Sequence, residues 1–279
     1  MLHLWRDKYC VALSPHRLEV VRRRRGLRPV VDYNFAETFK PSAGESIWKA
    51  SVAALTRFIA STDTRAEVTV VLSNHFVRYL LVPWSDQISS PEEYRNFAAA
   101  AFEEIYGTRA AEWEVCVSDE RTGSPRLATA VDKDLLSSIR QATQGTPLRL
   151  SSIQPYLMAA FNQTTQLKKL QNFIFMLVET DLVCFLMAEN GQWQNVTATT
   201  IAGDATPLAV ALSTTLERQI FLADLQNSSA LPIFVHAAYH PELKLPAVLG
   251  ETPQMLALPI PQGVAAEQFP SIGLAVTAV

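Results

Sequence analysis

Cysteine is nearly missing from this chain. Its three residues, Cys10, Cys116 and Cys184, are odd in number and far apart, and each lies in an apolar run. That excludes a disulfide framework and any Cys-x-x-Cys pair, and it reads as three core thiols. A dominant charge is missing too: 24 basic against 27 acidic residues give a formal net charge of −3, so no protein-wide basic field exists to hold nucleic acid. No run reaches the roughly 18 uncharged apolar residues of a membrane span. The opening "MLHLWRDKYC" has too short an apolar segment for a secretory leader, so the expectation is a cytoplasmic protein. The Asn-x-Ser/Thr triplets at Asn162, Asn195 and Asn227 would then meet no glycosylation system. Neither a Gly-x-Ser-x-Gly elbow nor a Walker loop occurs, which leaves nucleophilic catalysis no foothold. What remains is a 279-residue chain, 48% hydrophobic and 18% charged, enough for one large or two medium folded domains.

The chain opens with two strand patterns, residues 9–13 and 17–24, broken at Ser14-Pro15-His16, and a third follows Gly26 in "RPVVDYNFAE" (28–37). "ESIWKASVAALTRFIAS" (45–61) then places Ile47, Ala50, Ala54, Leu55 and Phe58 at helical spacing, and "AEVTVVLS" (66–73) is a buried-strand run. After residue 170 the same order returns. "NFIFMLVETDLVCFLMAENGQWQNVTATTI" (172–201) reads as three strands turning at Glu179-Thr180-Asp181 and Asn190-Gly191. Residues 204–225 supply the helix, with Asp204 as N-cap and Pro207 in its first turn, and "LPIFVHA" (231–237) the strand. One supersecondary order used twice implies an internal duplication.

Extra material separates the copies. Residues 75–84 form a strand ending at Pro83; residues 89–107 form a helix with Ser90 as N-cap, Pro91 next and acidic residues in its first turn. "EWEVCVS" (112–118) and "RLATAV" (126–131) read as a strand pair. A helix capped by Asp132, a strand closed by Pro155 and a helix over 156–171 lead into the second copy.

Two tandem β-β-β-α-β units, the first with an insertion, are the layout of the actin-like ATPase fold. The segments "VTVVLSNHFVRYLLVPW" and "LATAVDKDLLSSIRQATQGTPLRLSSIQPYLMAAFN" resemble those of the PilM, MshI and GspL group of bacterial pilus and type II secretion assembly proteins. The ending "FPSIGLAVTAV" resembles the last helix of that group, which returns to pack on the first domain. The resemblance implies an α/β, duplicated ribonuclease H-like fold. Its first domain spans 1–156 with an inserted α+β subdomain at about 75–131, its second 157–267, and its returning helix 268–279. It also implies partners, namely the cytoplasmic segment of an inner-membrane assembly protein and an assembly ATPase, with peripheral association at the membrane. An interdomain cleft and open strand edges would suit capture of an extended peptide.

In ATP-binding members of that fold, each first hairpin carries Asp and Gly, so that backbone approaches phosphate and a carboxylate positions Mg²⁺. Here the first turn has neither, and Pro15 removes a donor. The second turn keeps acidity and one hydroxyl without glycine, and the expected Gly-Gly adenosine turn reads "IFVHAAYHPEL". These departures imply no cofactor and a non-catalytic scaffold. The alternative is an active ATPase holding ATP and Mg²⁺ with Ser14, Glu179, Thr180 and Asp181.

Arg22, Arg23, Arg24 and Arg25, with Arg28 nearby, crowd guanidinium groups at a strand end. They read as a solvated strand end guarding an edge, or as a contact for an acidic partner or anionic lipid. Nucleic acid is disfavoured, since no aromatics interleave the run. Trp84, following its strand, is a core anchor or, if exposed, an interaction patch. His236 and His240, four apart with Glu242 beyond, lack a third ligand and a helix to carry them, so no metal site is expected.

Overall fold

The computed structural model describes residues 7–24, 26, 30–41, 43–201, 206–225, 231–256 and 260–277. In chain order its elements are β1 (Lys8–Ser14), β2 (Arg17–Arg24), β3 (Val30–Thr38), α1 (Lys49–Ala60), β4 (Ala66–Leu72), β5 (Val77–Val82), α2 (Pro91–Tyr106), β6 (Trp113–Val117) and β7 (Arg126–Asp132). There follow α3 (Lys133–Thr143), β8 (Leu148–Pro155), α4 (Tyr156–Gln163), β9 (Phe173–Val178), β10 (Leu182–Glu189), β11 (Gln192–Thr200), α5 (Leu208–Leu222), β12 (Ile233–His236), β13 (Gln254–Met255) and α6 (Gly273–Val276). The chain divides into two compact units, one of residues 1–77, 131–163 and 259–279, the other of residues 78–130 and 164–258.

The first unit is built on a sheet of order β3-β2-β1-β4-β8, with β1, β2 and β3 antiparallel and β4 and β8 parallel to β1. The apolar stripe of α1, including Ala54, Leu55, Phe58 and Ile59, is buried, and the Ser51 hydroxyl donates to the Ser14 carbonyl at 2.7 Å. Asp132 caps α3 by accepting from the amides of Asp134 (2.8 Å) and Leu135 (3.3 Å), and its other oxygen receives the Trp48 indole.

On the sheet, Glu19 of β2 is 1% exposed. Its Oε2 accepts the amides of Leu274 (2.9 Å) and Ala275 (3.1 Å), so residues 260–277 are fastened to the first hairpin through a buried carboxylate. The same strap meets β3 where Val31 donates to the Gln262 carbonyl at 2.8 Å. Gly263, at φ +96°, passes so close that a Cβ would fall on the Val31 carbonyl oxygen.

The second unit repeats the strand order as β11-β10-β9-β12-β13. Its core joins β9, β10 and β12 to α5 through Ile174, Met176, Phe185, Leu212, Leu216 and Val235. The β10–β11 turn uses Asn190 and Gly191, both at positive φ, as a two-residue hairpin requires. In the inserted piece, a sheet of order β5-β7-β6 packs on α2 through Val82, Tyr94, Ala98, Phe102 and Ala128. Ser90 caps α2 as expected, and Glu93 reaches back to complete a capping box.

Several expectations need correction. First, α1 starts at Lys49, so Ile47 precedes it and is 45% exposed instead of facing the core. Second, α4 ends at Gln163, and the polar stretch after it forms only a 3-10 turn at Leu167–Lys169. Third, Cys116 is exposed although Cys10 and Cys184 are buried: alternation along β6 gives Val115 and Val117 to α2 and turns Cys116 away. Fourth, the arginine run does not guard an edge, because β2 is an interior strand and β3 lies outside it. Pro207, and not Asp204, stands at the N-cap of α5, because the helix begins only at Leu208; Asp204 itself lies outside the described residues.

Candidate functional site

The two first hairpins are where the fold brings chain turns to the carboxyl ends of parallel strands, the usual ligand position in open α/β sheets. In the first unit that turn is closed on itself. Ser14 pairs with Arg17, and its hydroxyl donates back to the Arg17 carbonyl at 3.2 Å. Pro15 is buried without an amide to offer, and the Ser14 and His16 carbonyls are taken by Ser51 and by the Phe39 amide. Beside it Leu13 accepts the Ser73 amide, and Asn74, buried, accepts the Leu157 amide through Oδ1 at 3.2 Å.

In the second unit Glu179, Thr180 and Asp181 do not act as a set. Glu179 is buried and its amide closes the hairpin on the Leu182 carbonyl at 2.8 Å; Thr180 is exposed; Asp181 is half-buried and accepts the Ile201 amide through its carbonyl. Around Glu179 lie ionisable groups that burial keeps neutral. Burial first, then the charges of Cys184 and Glu179, pushes the Tyr79 hydroxyl well up. The Cys184 thiol is raised by burial and then by Glu179. Burial lowers His236 to about 3, and its ring meets Phe175 edge-on at 6.4 Å. His240 is also lowered by burial, against a hydrogen bond to the Glu179 backbone, and its buried Nε2 has no hydrogen-bond partner. A neutral imidazole offers phosphate no positive charge, so these side chains are chemically suited to packing. Among the described residues no three His, Cys, Asp or Glu side chains form a group that could hold a metal ion.

The arginines divide. Arg22 forks onto Asp32, Nε to Oδ1 at 2.8 Å and Nη2 to Oδ2 at 3.0 Å, and Nη1 reaches the Tyr9 hydroxyl at 3.4 Å. Its guanidinium lies about as close to the rings of Tyr9 (5.8 Å) and Tyr33 (5.9 Å). The pair holds Arg22 above and Asp32 below their ordinary pKa values. A bulge makes the pair possible: Arg22 opposes Tyr33 and Arg23 opposes Val31, so Asp32 is the extra residue. Arg24 is 70% exposed and touches Asp32 only at 3.8 Å, whereas Arg25 and Arg28 lie outside the described residues.

Trp84 is half-buried in the inserted piece. Its indole donates to Asp86 at 2.9 Å, and Arg126 stacks on it (5.7 Å) and on Tyr94 (4.3 Å). Sequence reasoning passed over Arg126 and Glu19. The second had a visible signal, one acid inside the apolar run "RLEVV".

No protein-family model matches the chain, and no curated protein does. Solved structures do. A chain of the PilM–PilN type IV pilus biogenesis complex superposes with a TM-score of 0.67 at 15% identity, over 97% of this chain and 96% of that one. The cytoplasmic domain of EpsL, an inner-membrane component of the type II secretion system of Vibrio cholerae, gives 0.61 at 12%, over 97% and 93%. A Bacteroides thetaiotaomicron protein with an actin-like ATPase fold and unknown function gives 0.56 at 11%, over 84% of each chain. The chain thus has the two-domain actin-like ATPase fold that its repeated strand order implied.

Proposed function

We propose that this protein is a non-catalytic component of a type IV pilus or type II secretion-like inner-membrane machine, binding the cytoplasmic segment of a membrane protein at the cytoplasmic face. The likeness to a chain of the PilM–PilN complex and to the EpsL cytoplasmic domain supports the assembly role. Among the described residues no helix is long and apolar enough to cross a membrane, consistent with recruitment by a partner that does. An assembly ATPase is a second partner under this reading, and Arg23 and Arg24 remain for anionic lipid or an acidic segment.

The observation that carries the non-catalytic half is the first turn. Phosphate recognition needs outward amides and a carboxylate for Mg²⁺, and here a proline replaces a donor while the serine hydroxyl is bonded to its own turn. Two measurements test the proposal. Thermal-shift titration with ATP and ADP, with and without Mg²⁺, is expected to show no shift at millimolar nucleotide. A ligand at 100 times its dissociation constant would add about 2.7 kcal/mol. A magnesium-dependent shift abolished by Asp181→Ala would establish the nucleotide-binding alternative instead. Fluorescence anisotropy with cytoplasmic tails of bitopic pilus-assembly proteins is expected to show saturable binding, and its absence for every tail would remove the assembly role.

A further inference from the structure

The outer face of α5 is not the polar face expected of a surface helix. Leu212, Leu216 and Ile220 pack into the core of the second unit, and the exposed positions are Val210, Thr214, Glu217, Arg218, Phe221 and Leu222. Phe221 and Leu222, each 68% exposed, are the most exposed large apolar side chains among the described residues, and Val210 is 50% exposed. At about 3.6 residues per turn, Val210, Thr214 and Phe221 fall within about 40° of one another around the helix, so they form one stripe along about three turns. Glu217 borders that stripe on one side and Arg218 on the other. Among the described residues neither side chain has an ion-pair or hydrogen-bond partner. As immediate neighbours in a helix, the two do not face each other.

We propose that this stripe packs against the same stripe of a second copy of the chain, with the two α5 helices side by side and parallel about a two-fold axis that runs between them. Val210 then meets Val210, Thr214 meets Thr214 and Phe221 meets Phe221. The Glu217 flank of each helix lies along the Arg218 flank of the other, at nearly the same level, so two equivalent ion pairs form. The charges also fix the orientation. An antiparallel pair sets each flank against the same flank of its mate, and neither Glu217 nor Arg218 would meet an opposite charge. A helix that answers both must carry the same two residues at the same level, which a second copy supplies. Three apolar layers make a small interface, and one below about 1,200 Å² belongs to the weak, reversible class. The inference stands apart from the assembly role, since it concerns only self-association.

The test is sedimentation velocity on the full chain from low micromolar to about 1 mM, where a monomer–dimer equilibrium is expected. Phe221→Lys, at an exposed position, sets like charges against each other in the stripe and should weaken dimerisation about tenfold or more while thermal unfolding stays unchanged. Arg218→Glu should also weaken it, and adding Glu217→Arg should restore it, because the double reversal rebuilds both ion pairs. The orientation has its own readout. Residue 210 meets its equivalent only in the parallel pair; in an antiparallel pair matching Val210 to Phe221 the two lie about 16 Å apart along the axis, beyond the reach of a disulfide. Val210→Cys in a Cys116→Ser background should therefore form a covalent dimer under mild oxidation. A monomer at every concentration, a dimer that Phe221→Lys leaves unchanged, a double reversal that fails to restore association, or no covalent dimer through residue 210 overturns the proposal.

Discussion

The two five-stranded sheets share a strand order and answer their buried polar groups differently. The first encloses an acidic side chain, Glu19, answered by two amides from residues near the end of the chain. The second encloses His236, which burial holds neutral against Phe175. A duplicated scaffold therefore constrains topology and leaves each copy free to satisfy its interior by different chemistry. In the first copy stability depends on a distant segment; in the second it depends on protonation state.

The comparison breaks most sharply at Glu19. Glu19→Ala leaves two buried amides unanswered and should cost about 3 kcal/mol or more in urea unfolding, with Glu19→Gln less severe. The second copy should instead respond to acid. Its unfolded chain binds a proton at His236 below about pH 6.5, whereas the native site resists until about 3. Stability is then complete above 6.5 and falls as pH drops through that window, by about 1.4 kcal/mol per unit. His236→Phe should flatten this slope in denaturation followed across pH, and an unchanged slope would sever the link to this residue. Gly263→Ala returns to the first copy: backbone strain at positive φ and the collision with Val31 should cost about 1 to 3 kcal/mol and raise hydrogen exchange at the Val31 amide. The smallest effect belongs to Asp132→Ala, about 1 kcal/mol for a lost N-cap, read by thermal unfolding.

Local rules carried most of the fold. The caps at Ser90 and Asp132, the Asn190-Gly191 turn and the apolar run of β9 are legible because each depends on neighbours a few residues away. The missing turn glycines were legible for the same reason. Long-range relations were not. The bulge that sets Asp32 against Arg22 depends on pairing register, and the exposure of Cys116 on which face of β6 meets α2. Glu19 reads as an anomaly in a strand until residues 274 and 275, some 255 positions later, supply its donors. Ile47 fitted the helical period yet lies before the helix, because periodicity does not mark where the first turn closes.

The strap also sets an order of events. Domains usually fold as units in the order they are synthesised, but the first unit needs residues 259–279 and the second unit ends at 258. The β1–β2 hairpin precedes the whole second unit in the chain, so the amides of Leu274 and Ala275 reach Glu19 only after that unit has been translated. The unit that holds this hairpin is therefore closed only after the other unit is already complete.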